Sequence, residues 1–226
     1  MVVKPSTECE APGLFVRFRY WVAKLIYEVI FVILVRDGSW QEGVFESLAP
    51  KAGDRVLDVG PGSSFTALSL ALRFPEATFV GLEPSSRAAE KARSKAAQKE
   101  IRNLSVIVAP IHGALPFDAS SFEKVVCMLG LHDCPPAEKL GIVKEIMRIV
   151  RRGGTFHVAD FDKPENRGEG GILEFARRIS GPAAVASHVN GSWIQFLAKG
   201  GFAGVRRQSS HSIGIGRISV VKARKR

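Results

Sequence analysis

The stretch "RVLDVGPGSSFTALSLAL", residues 55–72, groups the residue types needed to grip a polar ligand. An apolar run ends at the acid Asp58, Gly60 and Gly62 follow two apart, and Ser63 opens a segment whose apolar residues fall at helical spacing. Glycines let the chain turn sharply and let a ligand approach without meeting a Cβ atom. A helix starting behind that turn offers free N–H groups. Glu83 closes the second apolar run, "TFVGLE", 23 residues after Gly60, where a carboxylate can accept both hydroxyls of a ribose. A dinucleotide or an adenosyl cofactor would suit this arrangement. The third glycine of the dinucleotide fingerprint would fall at position 65, which is Phe65, so a nicotinamide cofactor is disfavoured.

A second candidate lies further on. His132, in "GLHDC" just after the apolar run "EKVVCMLG", titrates in the range suited to proton transfer near neutrality. The plain alternative is a loop histidine held by hydrogen bonds. His157 falls inside the strand-like "TFHVADF" and reads as structural.

The elements that must position these residues alternate strand with helix from residue 54 onward. "RVLDVG", "TFVGLE", "LSVIVAP", "EKVVCMLG" and "TFHVADF" read as five buried strands. Between them stand helices over 64–74, from an N-cap at Ser85 to Gln98, and over "AEKLGIVKEIMRIV", opened by Pro135 and Pro136 and stopped at "RRGG". Such alternation implies a parallel sheet with helical crossovers. In the last third, "DKPENRGEGG" reads as a loop, "ILEFARRIS" and "GSWIQFLAKGGF" as helices, and "GVRRQSS" and "ISVVKAR" as two adjoining strands.

The 226 residues suffice for one sizeable α/β domain. Cys9, Cys127 and Cys134 form no CxxC pair, which fits a reduced, cytoplasmic chain and argues against a disulfide framework or a zinc site. The net charge of +10 leaves anionic lipid, nucleic acid and simple solubility open. The apolar stretch 21–35 is interrupted by Lys24 and Glu28, too short a run for a spanning helix, and lacks a cleavage site. It reads as a helix packed on the domain or, alternatively, as one lying on a membrane or over a greasy substrate.

Taken in order, "VLDVGPGSS", "GLEPS", "ALPFDASSFEKVV", "EIMRIVRRGGTFHVADF" and "IQFLAKGGF" resemble the successive motifs of the class I S-adenosylmethionine-dependent methyltransferases. The likeness is to the subgroup that includes ubiquinone/menaquinone and phospholipid N-methyltransferases. It implies a Rossmann-like, doubly wound, mostly parallel seven-stranded sheet with helices on both faces, an antiparallel last strand and an N-terminal cap helix. Residues 1–50 would be the cap or lid, and 51–226 the cofactor-binding domain. By the same resemblance, Asp58, Gly60, Gly62 and Ser63 would surround the methionine part of S-adenosylmethionine, and Glu83 would hold the ribose. Pro84 would flank the adenine, with Ile111 and His112 standing where the family often has an aspartate. Leu129 would line the methyl-transfer pocket. Tyr20 and Tyr27 would close over the cofactor, the alternative for each being a ring packed in the core. Two departures stand out: Ser64 replaces the third glycine of the first motif, and the adenine-side aspartate is missing.

Methyl transfer depends mostly on alignment, and a base such as His132 helps only where the acceptor must lose a proton. "HDCPP" differs from the Asp/Asn-Pro-Pro-aromatic turn of amino-methylating nucleic-acid enzymes, since Cys134 intervenes and Ala137 follows the prolines. Nucleic acid is therefore an unfavoured partner, and no metal is required. The expected acceptor is hydrophobic or lipid-like, a phospholipid amine or a prenylated quinol. A peripheral contact at the anionic inner membrane face would be assisted by Lys222, Arg224, Lys225 and Arg226. A soluble metabolite as acceptor, or a catalytically inactive module that binds cofactor or membrane, are the competing readings.

Overall fold

A computed structural model of the chain describes residues 39–60 and 63–226. Tyr20, Tyr27, the apolar stretch 21–35 and Gly62 lie outside the described residues. The compact unit Gly38–Arg226 begins with helix α1 (Ser39–Leu48). It continues as β1 (Arg55–Val59), α2 (Ser63–Arg73), β2 (Thr78–Glu83), α3 (Ser86–Gln98), β3 (Leu104–Val108), β4 (Phe122–Met128), α4 (Pro136–Ile149) and β5 (Val150–Phe161). Helices α5 (Gly171–Ser180), α6 (Pro182–Val189) and α7 (Gln195–Lys199) follow, then β6 (Ala203–Ser212) and β7 (Arg217–Arg224).

The seven strands lie in the order β3-β2-β1-β4-β5-β7-β6. β1 to β5 run parallel, and β7 is antiparallel to both its neighbours. The chain winds outward from β1 through β2 to β3, then crosses to β4 on the other side. This reversal opens a crevice at the carboxyl ends of β1 and β4, the place where such sheets take ligands.

Strand alternation divides the core into two layers. Leu57, Val59, Val80, Leu82, Val125, Cys127, Phe156 and Val158 are buried in one cluster with Ile142, Val143, Ile146 and Ile149 of α4. The intervening strand positions, among them Val56, Phe79, Val126 and Val220, are buried as well. On the sheet, α1 packs against β5, β6 and β7, while α2 packs against β1 and β2. α1 buries Trp40, Val44 and Leu48, and each large apolar side chain so buried contributes about 1.5–3 kcal/mol. His157 is indeed structural, with Ser47 Oγ and Thr155 Oγ1 each 2.9 Å from its ring nitrogens. Burial, with Lys222 and Lys124 nearby, pushes it down to about 3, so the ring is neutral.

Two local expectations need correction, and one helix had no expectation behind it. Helix α4 ends at Ile149, just ahead of "RRGG" as expected, but β5 already starts at Val150 and takes in Arg151–Gly154, five residues before the expected "TFHVADF". The register against β4 jumps there, from Phe122–Val150 to Lys124–Thr155. Gly154 is required at that jump because a Cβ would lie 2.7 Å from the Glu123 carbonyl oxygen. The single helix read from "GSWIQFLAKGGF" is a 3-10 turn over Ser192–Ile194 followed by the short α7. Helix α6 follows no apolar period; tertiary contacts hold it, since buried Lys139 donates to the Ala184 carbonyl and lies 3.2 Å from Ser187 Oγ.

Candidate active site

Asp58 and Glu83 end adjacent parallel strands. Asp58 stands opposite Gly81 in the β1–β2 register, and Glu83 lies two residues further along β2, so both side chains fall on one face. Both residues are 1% exposed. Neither carboxylate oxygen of Asp58 has a hydrogen-bond partner. Burial pushes its carboxyl well above the usual range; the nearby Ala67 amide opposes this in part without closing a hydrogen bond, and the Glu83 charge adds to it. An unpartnered buried carboxylate is expensive in a folded protein unless a ligand donor completes it. Glu83 Oε1 accepts from the Ser85 amide at 3.1 Å, and Ser85 in turn caps α3 through Oγ to Ala88 N at 3.2 Å.

Gly60 turns the chain out of β1 at φ +137, in the region closed to most side chains. A Cβ there would come no nearer than 3.9 Å to Cys127 Sγ, Gly130 or the Met128 carbonyl, so conformation rather than space demands glycine. Ser63 is the first residue of α2. Pro84 is exposed just past β2, while on the loop after β3 Ile111 packs against the core and His112 is exposed. Leu129, directly after β4, is buried and holds φ +54, a strained value for leucine. Its amide donates to the Ala159 carbonyl at 2.8 Å, which ties the end of β4 to β5.

His132 lies on the same side of the crevice and is 1% exposed. Its Nδ1 donates to Asp160 Oδ1 at 2.9 Å, and its ring packs edge-on against Phe161. Asp160 is held in turn by the amides of Leu131 (2.8 Å) and Phe161 (2.8 Å). Burial alone would raise the Asp160 carboxyl, but the charge and hydrogen bond of His132 outweigh it and lower it to about 2. Burial works against charge on His132 too, yet Asp160, aided by Asp133, raises its pKa above 6.5. Nε2 is 3.3 Å from Asp133 Oδ2, a half-exposed carboxylate that also accepts from Ser180 Oγ of α5. Behind the pair, buried His188 stacks flat on Trp193 with its Nε2 3.9 Å from Asp160, and burial pushes it to about 3.

Asp160, His188 and Lys139 were not among the candidates legible in the sequence. For Asp160 the usable signal was an acid ending β5 beside the end of β4, since Met128 pairs with Ala159. His188 reaches the site on α6, a helix not read from the sequence, and Lys139 reaches it from α4. No group of three or more His, Cys, Asp or Glu that could hold a metal occurs among the described residues.

Comparison with known proteins agrees with this architecture. Residues 56–154 match the family model described as a methyltransferase domain. An uncharacterized methyltransferase, sll0829, from Synechocystis sp. is 27% identical over 146 residues, 65% of this chain and 65% of that protein. The ubiquinone/menaquinone biosynthesis C-methyltransferase UbiE of Syntrophotalea carbinolica is 26% identical over 181 residues, 76% of this chain and 75% of that one. A SAM-dependent methyltransferase from Aquifex aeolicus has the same fold, with a TM-score of 0.60 at 19% identity over 80% of this chain and 87% of that one. These matches support a class I S-adenosylmethionine-dependent methyltransferase with S-adenosylmethionine as its cofactor.

Proposed function

We propose that this protein methylates a small acceptor that loses a proton, with the cofactor held at the carboxyl ends of β1 and β2 and the acceptor beside His132. The observation that supports it most is the buried Asp58 carboxylate, unpartnered beside Glu83 and the Gly60 turn. It suits the cationic amino group of S-adenosylmethionine, and Glu83 suits the ribose hydroxyls. Gly60, Gly62 and Ser63 would pass under the methionine portion, Pro84 and Ile111 would border the adenine with His112, and Leu129 would border the reacting centre. When bound, the cofactor supplies an activated methyl group on a sulfonium. His132 takes the acceptor proton at Nε2 once Asp133 moves aside, while Asp160 fixes the ring and stabilises the imidazolium. Tyr20 and Tyr27 are proposed to close over the site.

For the acceptor we favour a prenylated quinol over a phospholipid amine. The named activity of the Syntrophotalea relative and a base suited to a quinol proton both support it. No helix among the described residues is long and apolar enough to cross a membrane. The basic tail gives this reading less help than its charge promises. Arg224 pairs with Thr155 in the middle of β5, away from Asp160 near its end, and the Lys225 ammonium is already bound by main-chain carbonyls.

Calorimetric titration with S-adenosylmethionine, followed by methyl-transfer assays on a short-chain demethylmenaquinol and on phosphatidylethanolamine, tests the proposal. Micromolar cofactor binding with methylation of the quinol is expected. Absence of cofactor binding would overturn it. Methylation of the amine lipid alone would reassign the acceptor.

A further inference from the structure

At the edge of the sheet remote from Asp58 and Glu83, a second concave surface forms where Val150–Gly154 step out of register with β4. The start of β6 and the end of β7 run beside that bulge. The groove between them has a volume of about 570 Å³, and its lining includes Arg152, Gly153, Gly204, Arg224, Lys225 and Arg226. Arg152, Arg224 and Arg226 are exposed, and their side chains make no hydrogen bond or ion pair among the described residues. Glu123, on neighbouring β4, is already committed to Arg151 at 3.2 Å and to the Arg55 amide at 2.7 Å.

Lys225 builds the groove instead of filling it. Its ammonium donates to the carbonyls of Met147 (2.8 Å) and Val150 (2.7 Å) at the end of α4. Its backbone exchanges hydrogen bonds with Gly153 (2.9 Å) and Gly154 (3.0 Å). Gly204, at φ +60, leaves the opposite wall open, since a Cβ there would meet nothing within 4 Å. Three guanidinium groups that form no ion pair among the described residues thus share one concave, rigidly floored site. Their planar forks match phosphate oxygens two at a time, and an anion bridging them relieves their mutual repulsion.

We propose that this groove binds a phosphate or diphosphate group, carried by a free phosphorylated molecule or by a phospholipid headgroup. Thr155, beside the groove, and Phe161, beside the catalytic edge, are the two ends of a strand run of about 20 Å. The groove ligand is therefore distinct from acceptor and cofactor, and this site stands independently of the methyl-transfer reading.

Calorimetric titration of the full chain with pyrophosphate at low salt tests the proposal. Alongside it, phosphatidylglycerol and phosphatidylcholine vesicles are compared by co-sedimentation. The variants are Arg152→Glu with Arg224→Glu, and as a charge-matched control Lys91→Glu with Lys144→Glu, both exposed on helices elsewhere. Saturable pyrophosphate binding is expected, weakened about tenfold or more by the groove pair and little changed by the control. The milder pair Arg152→Gln with Arg224→Gln should shift it in the same direction. Binding to phosphatidylglycerol vesicles alone, with the same dependence, would identify the headgroup as the source. Binding to neither ligand, or equal loss in groove and control variants, would overturn the proposal.

Discussion

At the carboxyl ends of β1, β2, β4 and β5, Asp58, Glu83, His132 and Asp160 are all buried. At the opposite edge Arg152, Arg224 and Arg226 are all exposed. The two edges use charge differently. Buried charge is costly: at the first edge Asp160 is matched by His132, and burial pushes the Asp58 carboxyl well above the usual range. Such a site recognises a particular arrangement of donors. Exposed guanidinium groups are screened by water and salt, and they recognise a class of anion. One sheet can host both because its parallel strands send every carboxyl end the same way.

The contrast is broken most severely by Gly60→Val. At φ +137 a β-branched side chain introduces about 1–3 kcal/mol of backbone strain at the turn, and cofactor binding should be lost. Titration with S-adenosylmethionine checks this, with circular dichroism reporting on the fold.

Asp160→Asn comes next. It should lower the maximal methyl-transfer rate about 10²-fold or more. Asp160 raises the pKa of His132, and a base must be neutral to accept a proton. Activity in the native protein should therefore rise as pH climbs through that raised pKa, and in the variant the acid limb should move to lower pH. A pH–rate profile that loses height without moving would remove Asp160 from its positioning role.

Glu83→Ala should weaken cofactor binding about 10- to 100-fold, the worth of hydrogen bonds to a charged group, with a smaller effect on the rate at saturation. Separate KM and kcat measurements decide it.

The last effect is on stability in acid. His157 and His188 are pushed to about 3 from 6.5, so the folded state holds them neutral while the unfolded chain protonates them. Their contribution is present above pH 6.5 and is lost as pH falls toward 3. His132 works the other way: raised above 6.5, it stabilises below that pH and loses its contribution as pH rises through its folded value. Denaturation midpoints between pH 7 and 4 should fall, and His157→Gln should flatten the decline.

Much of the fold was legible because buried parallel strands and amphipathic helices write their periods into the chain. "TFVGLE" as β2 and Ser85 as the cap of α3 appear as read. What failed was local pattern overridden by packing: "RRGG" became strand because Gly154 fits against the Glu123 carbonyl, and α6 formed because Lys139 fastens it.

From its own residues, then, the sequence determined the order of strands and helices, the glycine turn after β1, and the acids Asp58 and Glu83 at strand ends. Those are matters of short-range period and chain direction. Only the tertiary structure decided that Asp160 meets His132, that His188 lies behind them, and that Arg152 and Arg224 share a groove. Each of these pairings joins residues dozens of positions apart, whose proximity depends on strand register and on packing between elements, which no local stretch of chain encodes.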